Sequence, residues 1–152
     1  MTTSFFKTPV GWLKIVTAET TVLEIDYIDQ AENKLTPHGY AVEVIKQLQE
    51  YFAGQRKEFD LNLQRSAPEF TMKVWRALQD IPYGQVKTYQ QVAQSLANPQ
   101  AARAVGNACH VNPLAIVVPC HRVIGSSPKV GGYASGIDKK NWLIKHEQKF
   151  LS

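Results

Sequence analysis

The stretch Thr88-Tyr89-Gln90-Gln91-Val92-Ala93-Gln94-Ser95-Leu96-Ala97-Asn98-Pro99-Gln100-Ala101-Ala102-Arg103-Ala104-Val105-Gly106-Asn107-Ala108-Cys109 decides how this chain folds. Its first four residues form a capping-box pattern, with Thr88 as N-cap and Gln91 three positions on. Val92, Ala93 and Leu96 continue the short helix that the box opens. Asn98-Pro99 ends it and starts another, Asn98 as cap and Pro99 in the first helical position. The second helix, Gln100 to about Cys109, is built on alanine and glycine around one arginine, Arg103. Two short helices joined by a tight turn predict a helix-turn-helix. Small residues let a backbone come close to another surface, with Arg103 projecting from it. An ordinary helix–helix contact face has the same composition, so both readings stand at this point.

Working outward, Ser66-Ala67-Pro68-Glu69 opens a helix whose apolar face is Phe70, Val74, Trp75 and Leu78, and Ile81-Pro82-Tyr83-Gly84 breaks it. Downstream, the apolar segment Pro113 to Val118 leads into Pro119-Cys120-His121-Arg122. A glycine- and serine-rich loop, Gly125 to Gly136, precedes a helix from Asp138 to about Gln148, with Trp142 and Leu143 on its apolar side and lysines on the other. Upstream, Ser4 to Lys7, Leu13 to Ala18 and Val22 to Ile28 predict an antiparallel meander with turns at Pro9-Val10-Gly11 and Glu19-Thr20-Thr21. A helix follows, with Thr36 as cap, Pro37 in its first turn, a stripe of Val42, Ile45, Leu48 and Phe52, and Gly54 as its stop. Gln55 to Arg65 reads as a last strand or a connector. The fold class expected is α+β. A small N-terminal antiparallel sheet with a helix, residues 1–64, precedes a mainly helical winged helix-turn-helix domain, residues 65–152.

The 152 residues suit one medium domain or two small ones. No apolar run approaches the ~20 residues that span a bilayer, and the first residues lack a signal-peptide pattern. Two cysteines are too few for a secreted disulfide framework, which points to a reducing cytoplasm. Residues 1–64 carry six Lys/Arg against nine Asp/Glu, net −3, whereas residues 65–152 carry eleven against four, net +7. Such asymmetry suits a C-terminal half that meets a polyanion, or simply a solvated basic surface.

Cys120 beside His121 carries the chemistry most open to reading. The thiolate is the nucleophile, and a free cysteine, with a pKa of about 8.5, is mostly protonated at neutral pH. Activation needs a base, directly or through one water, and an acid that orients the base. In an extended segment adjacent side chains point opposite ways, so the pair alone does not exclude a buried, inert cysteine.

The combination is more specific. Arg103-Ala104-Val105-Gly106, Asn112-Pro113 and Pro119-Cys120-His121-Arg122-Val123-Ile124, preceded by Ile81-Pro82-Tyr83-Gly84 and followed by Gly131-Gly132-Tyr133, resemble the O6-alkylguanine-DNA alkyltransferase family. The likeness is strong from Phe70 to Glu147 and weak but compatible over residues 1–64. It implies a ribonuclease H-like first domain. It also implies direct, irreversible transfer of an alkyl group from O6-alkylguanine, and from O4-alkylthymine, once per molecule and without a cofactor.

By that resemblance Cys120 is the acceptor, His121 the water-linked base, Glu147 its orienter, and Asn112 the brace of the cysteine loop. Tyr89 helps protonate the departing guanine and turns the target phosphate. Arg103 fills the space of the flipped nucleotide, and Ala102, Gly106 and Ser126 approach the DNA backbone. Val123, Tyr133 and Ala134 wall the base pocket. The partner implied is double-stranded DNA bound through the minor groove with low sequence specificity. The protein is expected to act as a monomer, with cooperative binding on DNA compatible with the family. Zinc-holding relatives use N-terminal cysteines and histidines; residues 1–64 offer only His38, so no metal is expected. A non-enzymatic relative with tryptophan in place of the acceptor is disfavoured by Cys120. A winged-helix regulator would need base-reading side chains that the Ala/Gly-rich helix offers sparsely.

Overall fold

The computed structural model describes residues 1–64, 66–125 and 136–151. It divides into two compact units, Met1–Arg65 with Pro113–Val117, and Ser66–Asn112 with Val118–Ser152. Among the described residues no helix is long and apolar enough to cross a membrane.

The first unit is built on a three-stranded antiparallel sheet in the order β1 (Thr2–Thr8), β2 (Gly11–Ala18), β3 (Thr21–Ile28). Alternation puts Leu13, Ile15 and Thr17 of β2 on the buried face. The register of β2 with β3 slips at Val16/Thr17, where an irregularity interrupts the ladder. Helix α1 (Tyr40–Phe52) packs on this sheet.

Two sequence expectations for α1 are corrected. Thr36 and Pro37 lie outside it, because the chain turns into the helix at Gly39, whose φ of 66° suits glycine and whose N-cap position lacks a side-chain bond. The buried stripe is Ala41, Val44, Leu48 and Tyr51, and Val42 faces out. Tyr51 and Gln47 fix that rotation: Tyr51 is fully buried, and the Gln47 amide pairs with both the backbone N–H and the carbonyl of Asp60. Gly54, at φ 77°, stops the helix as expected. The segment after it is a connector that touches the sheet through one parallel bridge, Val22 to Leu63. Later in the chain, Pro113–Val117 returns to this unit, with Leu114 bridged to Ile25 on the free side of β3.

The second unit begins with α2 (Glu69–Gln79), which buries Val74, Trp75 and Leu78. Strand β4 (Lys87–Thr88) leads into α3 (Tyr89–Ser95), and a turn joins this to α4 (Ala102–His110). The capping box forms as read: Thr88 Oγ1 accepts from the Gln91 N–H at 3.0 Å, and Gln91 Oε1 accepts from the Thr88 N–H at 2.8 Å. Asn98 and Pro99 do not open α4. They form the turn, in which the Ala101 N–H donates to the Asn98 carbonyl, and the helix starts at Ala102 without a side-chain cap. Cys120–Arg122 form a 3-10 turn rather than an extended segment. Strand β5 (Val123–Ile124) pairs in parallel with β4, and α5 (Ile137–Lys149) closes the unit. Trp75 Nε1 donates to the Ala108 carbonyl at 3.0 Å, locking α2 to α4.

Candidate active site

The Cys120–Arg122 turn places three consecutive reactive or charged side chains in the interior: Cys120 and Arg122 are 7% exposed and His121 is 0%. Isolated, a buried thiol, imidazole and guanidinium would each cost heavily unless paired. Glu147, 2% exposed on the inner face of α5, answers two of them. Its Oε2 lies 2.7 Å from His121 Nε2. Arg122 grips both of its oxygens, Nε to Oε1 at 2.7 Å and a terminal nitrogen to Oε2 at 3.1 Å. The other terminal nitrogen of Arg122 donates to the Ile81 carbonyl at 2.7 Å. The Gly84 N–H reaches Glu147 Oε1 at 3.5 Å. The motif Ile81-Pro82-Tyr83-Gly84 therefore does more than end a helix: its backbone holds the ion pair. Gly84 has φ 82°, and a Cβ there would lie 2.5 Å from a Leu151 methyl.

The electrostatics follow from this arrangement. Burial raises the cost of charge on Glu147, but His121 and Arg122 outweigh it and hold the carboxyl well below the usual range. Burial dominates at His121 and lowers its pKa, even against the pull of Glu147, so the imidazole rests neutral. With Glu147 ionised, Nε2 carries the ring proton and donates to it, an assignment made from the hydrogen-bond network. Nδ1 is then left as a buried acceptor without a partner among the described residues. An unmatched acceptor of this kind is a resting proton-accepting site.

Cys120 is held from the other side. Asn112 Nδ2 donates to the Val118 carbonyl at 2.9 Å and to Cys120 Sγ at 3.3 Å. Burial pushes the thiol up, and the Asn112 hydrogen bond is the first influence that opposes it. At rest the sulfur is thus a protonated thiol. Tyr89 opens α3, and its hydroxyl accepts from Lys140 Nζ at 3.4 Å; burial and the neighbouring thiols push the phenol up to about 12. Tyr89, Gln90, Ala102, Arg103, Gly106 and Gly125 line an open groove of about 450 Å³. Gly106 faces the Tyr89 ring, where an added Cβ would sit 3.8 Å away in ordinary contact.

Hydrogen bonds link the sequence-named residues in two pairs, Asn112 with Cys120 and His121 with Glu147, and Tyr89 shares a groove with Ala102, Arg103 and Gly106. Val123 is buried in the β4–β5 pair. Ser126, Tyr133 and Ala134 lie outside the described residues. Sequence reading missed Arg122 and Lys140. It set the lysines of the last helix on the solvent side, yet Lys140 is 0% exposed. Its spacing from Leu143 and Glu147 is that of one helical face, and that was the available signal.

Family models match almost the whole chain: the 6-O-methylguanine DNA methyltransferase ribonuclease-like domain over residues 1–64 and its DNA-binding domain over residues 69–149. A methylated-DNA–protein-cysteine methyltransferase of Methanosarcina acetivorans is 40% identical, the match covering 95% of this chain and 96% of that protein. The namesake protein of Mycolicibacterium paratuberculosis is 43% identical, with 93% and 88% covered. Among solved structures, the O6-methylguanine methyltransferase of Mycobacterium tuberculosis superposes with a TM-score of 0.87 at 37% identity, covering 97% of this chain and 92% of that one. A Mycobacterium tuberculosis OGT structure in complex with DNA gives a TM-score of 0.86 at 38% identity, covering 96% and 92%. With both domain models matched in order along a chain of this fold, the protein belongs to the 6-O-methylguanine DNA methyltransferase family.

Proposed function

We propose that this protein repairs DNA by taking an alkyl group from O6-alkylguanine onto the sulfur of Cys120. The observation that carries the reading is two hydrogen-bonded groups side by side in the sequence, Asn112–Cys120 and His121–Glu147–Arg122, in the unit whose groove displays Arg103. The thiol proton passes to His121 Nδ1 through one water, and Glu147 stabilises the imidazolium that results. The thiolate then attacks the alkyl carbon: the S–C bond forms, the C–O6 bond breaks, and the bonding pair leaves with guanine. Tyr89 supplies a proton to that leaving base. The product is a thioether, which water does not cleave, so each molecule reacts once. The same displacement serves O4-alkylthymine.

The O6 position lies inside the base stack, so the nucleotide must turn out of the duplex at a cost of a few kcal/mol, least for a poorly paired lesion. Arg103, exposed on α4 with small neighbours Ala102 and Gly106, fills the vacated space from the minor groove. Contacts of this kind are made to backbone and shape, which gives low sequence specificity and strong salt dependence. Val123, Ser126, Tyr133 and Ala134 complete the base pocket and backbone contacts. The protein acts as a cytoplasmic monomer without a cofactor.

The test is DNA carrying methyl-labelled O6-methylguanine. One label per protein molecule on Cys120 is expected, with none in Cys120→Ala. Label retained by Cys120→Ala would remove the site assignment, an unlabelled wild type would remove the activity, and many transfers per molecule would refute the single-use step.

A further inference from the structure

Helix α2 carries two exposed basic side chains three residues apart, Lys73 and Arg76. That spacing makes them neighbours on one face of the helix. With Lys87 of β4 they line an open groove of about 340 Å³, in which Asp80 is the one carboxylate among the described residues. Lys73 pairs with Glu69 at 3.4 Å, but the Glu69 side chain is 85% exposed, and a surface pair of this kind contributes little. The side chains of Arg76 and Lys87 make no hydrogen bond or ion pair among the described residues. Three like charges gathered in one concavity repel each other, and a polyanion that enters it offsets that repulsion. The groove shares no residue with the one lined by Tyr89, Arg103 and Gly106. Helix α3 connects the two: Tyr89 and Gln90 at its start line one, and Ser95 with the adjoining Leu96 at its end line the other.

We propose that the Lys73–Arg76–Lys87 groove is a second contact surface for the phosphodiester backbone, filled by the flank of the same duplex that Arg103 enters. The inference rests on DNA as the partner and not on the transfer chemistry. The seven residues of α3 span about 10 Å, roughly three base-pair steps of 3.4 Å, so both grooves fall within the reach of one duplex. Each of the three cations meets phosphate oxygens and displaces condensed counterions. None touches a base edge or the reacting atoms, so the surface adds affinity and salt dependence without sequence preference. Asp80 opposes the same phosphates and limits how tightly the flank is held.

The test uses the full chain and a lesion-free duplex of about two helical turns, with binding measured against salt. The triple substitution Lys73→Gln, Arg76→Gln, Lys87→Gln should lower the slope of log K against log salt by about two to three. Lys73→Arg with Lys87→Arg should keep the wild-type slope, and Asp80→Asn should tighten binding. With labelled O6-methylguanine in the same duplex, the triple variant should need more protein for half-maximal transfer while its saturating rate stays unchanged. A wild-type slope in the triple variant overturns the inference, as does a saturating rate that falls together with affinity. Two duplexes carrying different dyes separate the sources of phosphate. Energy transfer between them through the wild-type protein, lost in the triple variant, would give the groove to a second duplex and overturn the assignment to the flank. A wild type that binds no duplex at all would instead remove DNA as the partner.

Discussion

Arg122 is the residue on which the buried charges depend. It holds Glu147 by two hydrogen bonds and the Ile81 carbonyl by a third, so its loss would take the guanidinium away from a carboxylate inside the protein. Arg122→Ala should cost about 3–5 kcal/mol in chemical denaturation, whereas a loss below about 1 kcal/mol would mean that Glu147 finds other company. Lysine cannot reproduce the fork, so Arg122→Lys should recover little of it.

Acid should act on the same cluster. His121 rests neutral in the fold with its pKa lowered. The unfolded chain therefore binds more protons as pH falls through the ordinary histidine value of about 6.5, and stability declines with falling pH from there. Glu147, held below its ordinary value, adds a loss of the same sign below about 4.3. A denaturation midpoint that stays flat from pH 7.5 to 5 would contradict a neutral buried His121. Cys120, His121, Asn112 and Glu147 were named from sequence only through the family that the motifs around them resemble. Arg122 and Lys140 were not, because a charged side chain on an amphipathic segment reads as solvated until the packing around it is known.

At the level of elements, what is local was legible. The capping box at Thr88 depends on residues three apart in one chain, and Thr88→Ala should cost about 1 kcal/mol of thermal or denaturant stability. Because Tyr89 is the next residue, the same change should also slow alkyl transfer, and an unaltered rate would show that the cap does not position Tyr89. What depends on tertiary packing was less legible. Two stripes of similar spacing run along α1, and only the sheet beneath selects Ala41, Val44, Leu48 and Tyr51 over Val42, Ile45 and Phe52. On α4, Gly106 has room for a methyl group against Tyr89. Gly106→Ala should therefore fold with equal stability or up to about 1 kcal/mol more, while binding DNA less tightly. A Gly106→Ala protein with undiminished DNA affinity would show that backbone approach at that turn is not needed.

For the whole molecule, the uneven charge makes a prediction of its own. Binding to undamaged duplex should weaken steeply with salt, and Arg103→Ala should lower affinity and reduce the slope of log K against log salt by about one if that arginine neutralises a phosphate. An unchanged slope with lost affinity would mean that Arg103 acts as a wedge alone. Nothing in the sequence signals the return of Pro113–Val117 to the first unit. That segment is an apolar run like many others, and only its pairing with Ile25 reveals where it belongs.

The return makes the two halves poor candidates for exchange as separate cassettes. A swap made at residue 64 would replace β3, the strand for which Leu114 is matched, while keeping Leu114 itself. The seam would thus run through one small core. Chimaeras that carry Pro113–Val117 along with the donor's first unit should express as soluble protein more often than those that cut once.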